Sequence, residues 1–453
     1  MFQIDGRIFR TVNERARDGY EYVRDRGIIV GLVSEGLLVD AHEVTGSNLP
    51  AALAQPAEGR AYVLEHPRIP FISHPYEWSF GLLKAAALAH LDLQLRLLEY
   101  GAKLIDASAY NIQFLGPRPV FIDHLSLRPY VEGELWIGHQ QFCQQFINPL
   151  LLRAKNGIAH NAWFRGNLEG ISTRDLARVL PFNSRFSWNT LTHVLLQARL
   201  ESHAIASPSQ AIDKVKGNQK LSRLAFGGML RQLRNWISTL HPADTGKTIW
   251  GEYAHSHTYS GAEAIAKRRF ISNFAAAVKP GTLIDIGCNT GDYSLSALEG
   301  GATRVIGFDF DQKAIDIAYS RAVAEKRDFL PLWLDAANPS PDQGWFQAER
   351  RGFAARMPAD AVIALAFEHH LAIGRNVPLP QVVDWLVRIA PTGIIEFVPK
   401  DDETVRRMLA LREDIFPDYS EETFAAALSK LARIEKREII SESGRTLFVY
   451  DRR

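Results

Sequence analysis

Apolar and polar positions change their spacing regularly along the C-terminal part of the sequence. Four segments have the apolar spacing of helices: 262–277, 293–299, 312–324 and 380–389. Five short apolar runs between them are typical of buried strands: 281–286, 304–308, 330–334, 360–366 and 394–398. This alternation predicts an α/β fold with a doubly wound parallel sheet. Two last runs, 433–440 and 445–450, predict an antiparallel hairpin that closes the sheet.

The first 240 residues lack this alternation. Residues 78–100 form one long helical pattern that is apolar on most sides, as in a buried helix. Two strand-like runs, 111–114 and 120–122, are joined by Gly116-Pro-Arg-Pro, which predicts a hairpin. Other predicted elements are β-like runs at 27–33 and 60–65 and a largely helical region at 134–203. The N-terminal half is therefore predicted to be a separate α+β domain.

Composition and charge narrow the class of protein. The 453 residues suffice for two or three domains. The net charge of +1 gives no overall positive field for nucleic acid. Two cysteines suggest no disulfide framework or zinc cluster, and no apolar run is long enough to span a membrane. Because the N-terminus also lacks a signal-peptide pattern, we expect a cytoplasmic protein without a membrane partner.

A basic segment marks the expected domain boundary. Between residues 206 and 250, seven Lys and Arg side chains stand against two Asp side chains. We interpret residues 205–245 as a solvated basic helical linker rather than a nucleic-acid-binding stripe. The expected domains are then 1–240 and 245–453.

A glycine-bearing turn follows the first strand of the C-terminal part. The run Leu283-Ile-Asp-Ile-Gly-Cys-Asn-Thr-Gly-Asp-Tyr leads from an apolar strand through a turn into a helix. Gly287 and Gly291 allow a sharp turn and a close approach of the backbone to a ligand. Asp285 can orient this turn. We place Cys288 and Asn289 in the same candidate site.

The next two strands also end in acidic residues. Asp309 lies about 20 residues further on, where a carboxylate suits two ribose hydroxyls, and Phe310 follows it. Asp335 ends the third strand and can accept a hydrogen bond from an adenine amino group, with Ala336 as an apolar contact.

These segments resemble motifs I, II and III of class I methyltransferases. Asn289 stands where many members have glycine. The runs Ala364–Leu379 and Ile395–Asp402 resemble a bacterial branch related to nodulation proteins. The resemblance implies S-adenosylmethionine as cofactor and methyl transfer as reaction. NAD is the alternative nucleotide, and the Gly-x-x-x-Gly spacing argues against it.

The fourth strand leads to candidate catalytic residues. It delivers Glu368, His369 and His370 to the sheet edge where the ligand of an open parallel sheet lies. Either a carboxylate or a neutral imidazole could take a proton from an attacking hydroxyl or amine. Tyr253, in an aromatic and histidine-rich segment before the first helix, is a candidate for covering the cofactor. We expect no metal ion in this domain.

The N-terminal half resembles protein-kinase-like phosphotransferases around three residues. Asp106, Asn111 five residues later, and Asp123 after the hairpin match the catalytic Asp and the two magnesium-binding residues of that family. A glycine-rich phosphate loop is not visible, the first lysine of the chain is Lys84, and His-Leu follows Asp123 in place of Phe-Gly. We therefore expect a degenerate kinase-like binding domain and disfavour magnesium–ATP as a ligand.

The sequence predicts a methyltransferase that performs O- or N-methylation of an unidentified acceptor. A small molecule or carbohydrate is favoured, and protein and RNA remain open. Two alternatives stay: a kinase-like phosphotransferase with a regulatory methyltransferase-like domain, and a non-catalytic S-adenosylmethionine-binding module. The oligomeric state does not follow from the sequence.

Overall fold

The computed structural model describes most of the chain. It covers residues 1–54, 59–199, 221–243, 261–357, 359–410 and 412–453. No helix among these residues is both long and apolar enough to cross a bilayer.

The chain begins with a small antiparallel sheet. Its strands are β1 (Phe2–Ile4), β2 (Arg7–Asn13), β3 (His42–Glu43) and β4 (Arg60–His66), in the order β1-β2-β4-β3. Three helices lie between these strands: α1 (Glu14–Asp25), α2 (Ile28–Ser34) and α3 (Ala51–Ala54).

The β-like prediction for residues 27–33 is wrong, because this run forms α2. Its buried residues Ile28, Ile29 and Leu32 have helical spacing, and Gly27 supplies the left-handed conformation before the helix. Periodicity alone does not separate a strand from a helix in so short an apolar run.

A long buried helix organises the rest of the N-terminal half. Helix α4 (Phe80–Glu99) begins where the Ser79 hydroxyl accepts a hydrogen bond from the Leu82 backbone N–H. Two antiparallel pairs follow it: β5 (Ala102–Leu104) with β8 (Leu127–Pro129), and the hairpin of β6 (Ile112–Leu115) with β7 (Arg118–Phe121). Both the helix and the hairpin agree with the sequence-based prediction.

The region after β8 is helical, as predicted for residues 134–203. Its α-helices are α5 (His139–Phe142), α6 (Asn148–Asn156), α7 (Asn161–Gly166), α8 (Thr173–Val179), α9 (Trp188–Thr190) and α10 (Arg223–Ser238). Two π-helical segments, Cys143–Ile147 and Leu191–Leu195, continue α5 and α9. The segment predicted as a solvated linker differs from that expectation, because residues 223–238 form a helix that buries Phe226, Leu230, Leu233 and Ile237.

The C-terminal half is a seven-stranded sheet. Its strands are β9 (Thr282–Ile286), β10 (Arg304–Asp309), β11 (Phe329–Trp333), β12 (Ala361–Ala364), β13 (Thr392–Phe397), β14 (Arg433–Ile439) and β15 (Thr446–Asp451). The order is β11-β10-β9-β12-β13-β15-β14, with β9 to β13 parallel and β15 antiparallel to β13. Counted within this sheet, the order is 3-2-1-4-5-7-6. The parallel core and the terminal hairpin both match the prediction.

Helices cover both faces of this sheet. They are α11 (Gly261–Val278), α12 (Asp292–Glu299), α13 (Gln312–Ala324), α14 (Glu368–Ala372), α15 (Leu379–Ile389), α16 (Glu403–Leu409) and α17 (Glu421–Ser429). Every residue of β9, β12 and β13 is buried, which explains why apolar residues predominate in these strands.

The two halves share one hydrophobic cluster. Buried residues of α4, such as Leu83 and Leu91, belong to the same cluster as Ile306 and Phe308 of β10. Polar contacts cross the same boundary: Gln312 accepts from Arg153 at 2.7 Å and donates to Asn161 at 2.6 Å.

A buried ion pair also joins the halves. The Arg356 guanidinium donates to both carboxylate oxygens of Glu77, and both side chains are almost fully buried. The guanidinium lies 5.1 Å from the ring centre of Phe71. Burial works against the ionised form of Glu77, but Arg356 and His74 together outweigh it, so that the pKa of this carboxyl is lowered.

We expect removal of one partner of this pair to be costly. Arg356→Met leaves a carboxylate buried without its counter-charge and should lower the free energy of unfolding by about 3–5 kcal/mol. Denaturant unfolding followed by fluorescence measures the change. Arg388→Met is the control, because it removes one partner of the exposed ion pair between Arg388 and Asp384. It should change the free energy of unfolding by about 0.5 kcal/mol or less. Equal effects of the two substitutions would contradict the assignment.

Candidate cofactor and catalytic site

The turn after β9 needs left-handed backbone at three positions. Gly287, Asn289 and Gly291 have φ of 81°, 48° and 87°. A Cβ on Gly291 would lie 2.5 Å from Cε1 of Phe329, so that only glycine fits there. Asn289 tolerates this conformation better than most other residues. The turn therefore holds its backbone close to the carboxyl edge of the sheet.

Asp285 lies under this turn and is buried. Its Oδ2 accepts a hydrogen bond from the Ser294 hydroxyl at 2.6 Å, which ties the end of β9 to α12. Burial raises the pKa of Asp285 to about 7. The role of Asp285 in orienting the turn stays a prediction.

Asp309 connects the end of β10 to the same turn. Its carboxylate accepts from the Asn289 backbone N–H and from the Asp311 backbone N–H, both at 2.8 Å. Burial raises the pKa of Asp309 to about 6, although these backbone donors oppose the shift. Each oxygen keeps acceptor capacity for a ligand hydroxyl.

Asp335 follows β11 at the same edge. It accepts from the Ala337 backbone N–H at 3.1 Å and lies 4.0 Å from the Arg375 guanidinium. The Trp333 indole N–H donates to the Phe310 carbonyl at 3.0 Å, and this contact holds the two loop ends together.

A cavity of about 510 Å³ opens between these strand ends. The predicted cofactor residues that line it are Gly287, Cys288, Asn289, Asp309, Phe310, Asp335 and Ala336. Asp285 and Gly291 do not line it: the Asp285 carboxylate contacts Ser294, and Gly291 lies against the Phe329 ring. Tyr253 lies outside the described residues. The structure therefore brings seven of the ten candidate cofactor residues to one cavity.

The three candidate catalytic residues have different positions. Only His370 lines the cavity. Glu368 is buried, and its Oε1 accepts from the Val398 backbone N–H at 2.8 Å and from the Tyr419 hydroxyl at 2.9 Å. His369 is also buried, with Nδ1 3.6 Å from Glu368 Oε2. Contrary to the expectation for this edge, Glu368 and His369 do not reach the cavity wall, because α14 turns them into the protein.

His370 carries a neutral imidazole at neutral pH. Burial is the largest cause that lowers its pKa well below the usual value, and His369 and Arg445 add to the shift. A neutral imidazole can accept a proton.

A buried ion pair near the cavity was missed by sequence reasoning. Lys267 of α11 lines the cavity, and its Nζ lies 2.5 Å from Oε2 of Glu396 at the end of β13. The same oxygen accepts from the Ala366 backbone N–H at 2.8 Å, and Lys267 Nζ lies 4.7 Å from the ring centre of Tyr293. Glu396 was recognisable as a polar strand end, whereas Lys267 in a helix gave no signal.

The kinase-like residues of the N-terminal half form two separate contacts. Asn111 Nδ2 donates to Asp106 Oδ2 at 3.0 Å. Asp123 pairs with Arg10 at 2.6 Å and accepts from the Ser126 hydroxyl at 2.5 Å. A second cavity, of about 440 Å³, lies between the small sheet and the C-terminal half, and none of Asp106, Asn111 and Asp123 lines it.

Comparison with known proteins gave one close relative. No family model matches the chain. The nodulation protein NoeA of Rhizobium meliloti (strain 1021) is 50% identical over 454 residues, which cover 100% of this chain and 94% of that protein.

Similar solved structures cover about half of the chain. The bifunctional kinase-methyltransferase WbdD is 18% identical, over 49% of this chain and 46% of that chain, with a TM-score of 0.29. The 16S rRNA methylase RmtB is 16% identical, over 42% of this chain and 64% of that chain, with a TM-score of 0.29.

Sequence identity with the relative and the strand order of the sheet together classify the protein. The relative extends over both halves, and the 3-2-1-4-5-7-6 strand order with its antiparallel seventh strand is that of class I methyltransferases. The chain belongs to the family of the nodulation protein NoeA, and its C-terminal half has the class I methyltransferase fold.

Proposed function

We propose that this protein is an S-adenosylmethionine-dependent methyltransferase whose cofactor binds in the 510 Å³ cavity. The observation that carries the proposal is the convergence of three consecutive strand ends, after β9, β10 and β11, on one cavity. Ligands of open parallel sheets bind at this edge.

The residues around the cavity fit the cofactor. Asn289 Oδ1 is buried and makes no hydrogen bond within the described part of the chain, so that an acceptor is available for the ammonium of the methionine portion. The Asp309 carboxylate would hold the ribose hydroxyls. Asp335 would accept from the adenine amino group, and Ala336 and Phe310 provide apolar contacts. When bound, S-adenosylmethionine supplies a methyl group on a positively charged sulfur.

His370 is the residue that we assign to proton transfer. Its imidazole lies in the wall of the cavity, where it can meet the proton of an attacking hydroxyl or amine. Glu368 fixes the backbone at Val398 and the hydroxyl of Tyr419, and with His369 it positions α14 beneath the cavity.

We favour a small molecule or carbohydrate as the acceptor over protein or RNA. The net charge of +1 provides no general attraction for a polyanion.

The N-terminal half is a second candidate for activity. The order of a long helix, a short strand, Asp106, Asn111, a hairpin and Asp123 supports a kinase-like fold. However, Arg10 and Ser126 already engage the Asp123 carboxylate, which a kinase would use for magnesium. We therefore assign residues 1–240 to recognition of the acceptor or a partner, and residues 245–453 to methyl transfer.

Calorimetric titration with S-adenosylhomocysteine tests the cofactor site. We expect one site per chain. Asp309→Ala should weaken binding by about 1–3 kcal/mol, because the ribose hydroxyls lose their acceptor. Asp328→Ala is the control, since Asp328 lies before β11, at the opposite edge of the sheet, and should leave the dissociation constant unchanged. Unchanged affinity in Asp309→Ala would refute the ribose assignment.

A substitution of His370 separates chemistry from binding. His370→Asn should retain S-adenosylhomocysteine binding but slow the transfer of a radioactive methyl group into a small-molecule extract by about 10²–10⁴-fold. The measurement is label incorporation by scintillation counting, with calorimetry of the same variant as the control. An unchanged rate of methyl transfer in His370→Asn would show that the reaction needs only the alignment of the acceptor with the cofactor.

Magnesium–ATP titration of the whole chain tests the alternative function. Because Arg10 neutralises Asp123, we expect no heat of binding. Magnesium-dependent binding that is lost in Asp123→Ala would instead establish a phosphotransferase-type site in the N-terminal half.

A further inference from the structure

A cluster of three metal-ligand side chains lies in the helical region of the N-terminal half. His139 Nε2 is 3.0 Å from His193 Nδ1, and Cys143 Sγ is 3.6 Å from His139 Nε2. The three ligand atoms lie within 4.8 Å of one another. None of these residues lines the 510 Å³ cavity, so that the cluster is separate from the proposed cofactor site.

These distances suit one shared ion. A tetrahedral zinc site with ordinary bond lengths puts two nitrogens roughly 3.3 Å apart and a nitrogen and a sulfur roughly 3.6 Å apart. The i, i+4 spacing of His139 and Cys143 places both on one face of the same helical segment. His193, which is 54 residues further along than His139, closes the cluster from another helical segment.

The backbone at the cluster is unusual. Cys143 begins one π-helical segment, Cys143–Ile147, and His193 is at the centre of the other, Leu191–Leu195. Such segments are rare and occur frequently at functional sites. Two of the three ligand residues are therefore presented by backbone that departs from the α-helix.

Aromatic rings lie against the two histidines of the cluster. The ring centres of Trp236 and His193 are 6.1 Å apart, and those of Trp136 and His139 are 5.4 Å apart. Cys143 and His193 are buried. Polar groups in apolar surroundings are costly unless paired or bound to a metal. His139 is only partly buried, which gives an ion a route from solvent.

We propose that His139, Cys143 and His193 bind one divalent transition-metal ion, with Zn²⁺ as the occupant. Two imidazole nitrogens and one thiolate are a ligand set that zinc prefers over magnesium or calcium, and solvent completes the coordination. Binding displaces the thiol proton to solvent and leaves the oxidation state of the ion unchanged. The ion ties the segment that begins at His139 to the segment around His193.

Cobalt is the probe that tests this site. The whole chain is treated with a chelator and titrated with Co²⁺, whose absorption reports both tetrahedral geometry and thiolate ligation. We expect one Co²⁺ per chain, a thiolate-to-cobalt charge-transfer band, and loss of that band when Zn²⁺ is added. Absence of the band in the unsubstituted protein would overturn the proposal.

Matched variants identify the ligands. Cys143→Ser should abolish the charge-transfer band, and His193→Asn should weaken Co²⁺ binding at least about tenfold. Cys288→Ser, in the only other cysteine, should keep the band. His90→Asn removes another buried histidine, which packs 5.4 Å from Phe142, and should also keep it. A band that survives in Cys143→Ser would refute the assignment.

Thermal unfolding with and without Zn²⁺ gives a measurement that does not depend on the absorption of cobalt. Zn²⁺ should raise the midpoint of the unsubstituted protein and of His90→Asn but not that of His193→Asn. Circular dichroism of each variant confirms that it is folded before titration. An equal rise in His193→Asn would contradict the proposed ligand set.

Discussion

Burial of the central strands on both faces is the constraint on which the rest of the C-terminal half depends. All residues of β9, β12 and β13 are buried. A polar side chain in these strands therefore needs a hydrogen-bond or ion-pair partner inside the protein. Asp285 has Ser294 and Glu396 has Lys267. Groups that face a ligand are restricted to the strand ends. The cavity therefore lies at the carboxyl edge, where loops can differ without disturbing the sheet.

The same constraint explains which parts could be predicted from the sequence. Apolar residues predominate in strands buried on both faces, and the glycines after β9 mark a turn whose geometry excludes a Cβ at Gly291. The sheet, its terminal hairpin, α4 and eight residues of the cavity wall followed from these local signals. The error at residues 27–33 arose because a seven-residue apolar run fits a strand and a short helix equally well.

The residues that escaped prediction depend on contacts between distant segments. Lys267 meets Glu396 across 129 positions of sequence, and its own helix gives no reason for a buried charge. The orientation of Glu368 and His369 depends on how α14 begins, since a rotation of the helix by roughly 100° decides which of three consecutive polar residues faces the cavity. The approach of His193 to His139 and Cys143 is likewise a product of helix packing. The local sequence pattern around each residue contains no information on such contacts between distant segments.

The shared hydrophobic cluster has a practical meaning for how this protein can be divided. Residues of α4 and β10 belong to one cluster, and Gln312 contacts Arg153 and Asn161 of the other half. Cutting the chain between Ala243 and Gly261 would expose apolar surface on both fragments. It would also separate Arg356 from Glu77, so that each fragment would keep one charge of this ion pair without its partner. Separately expressed fragments would therefore be prone to aggregation, and their behaviour would misrepresent the activity of either half.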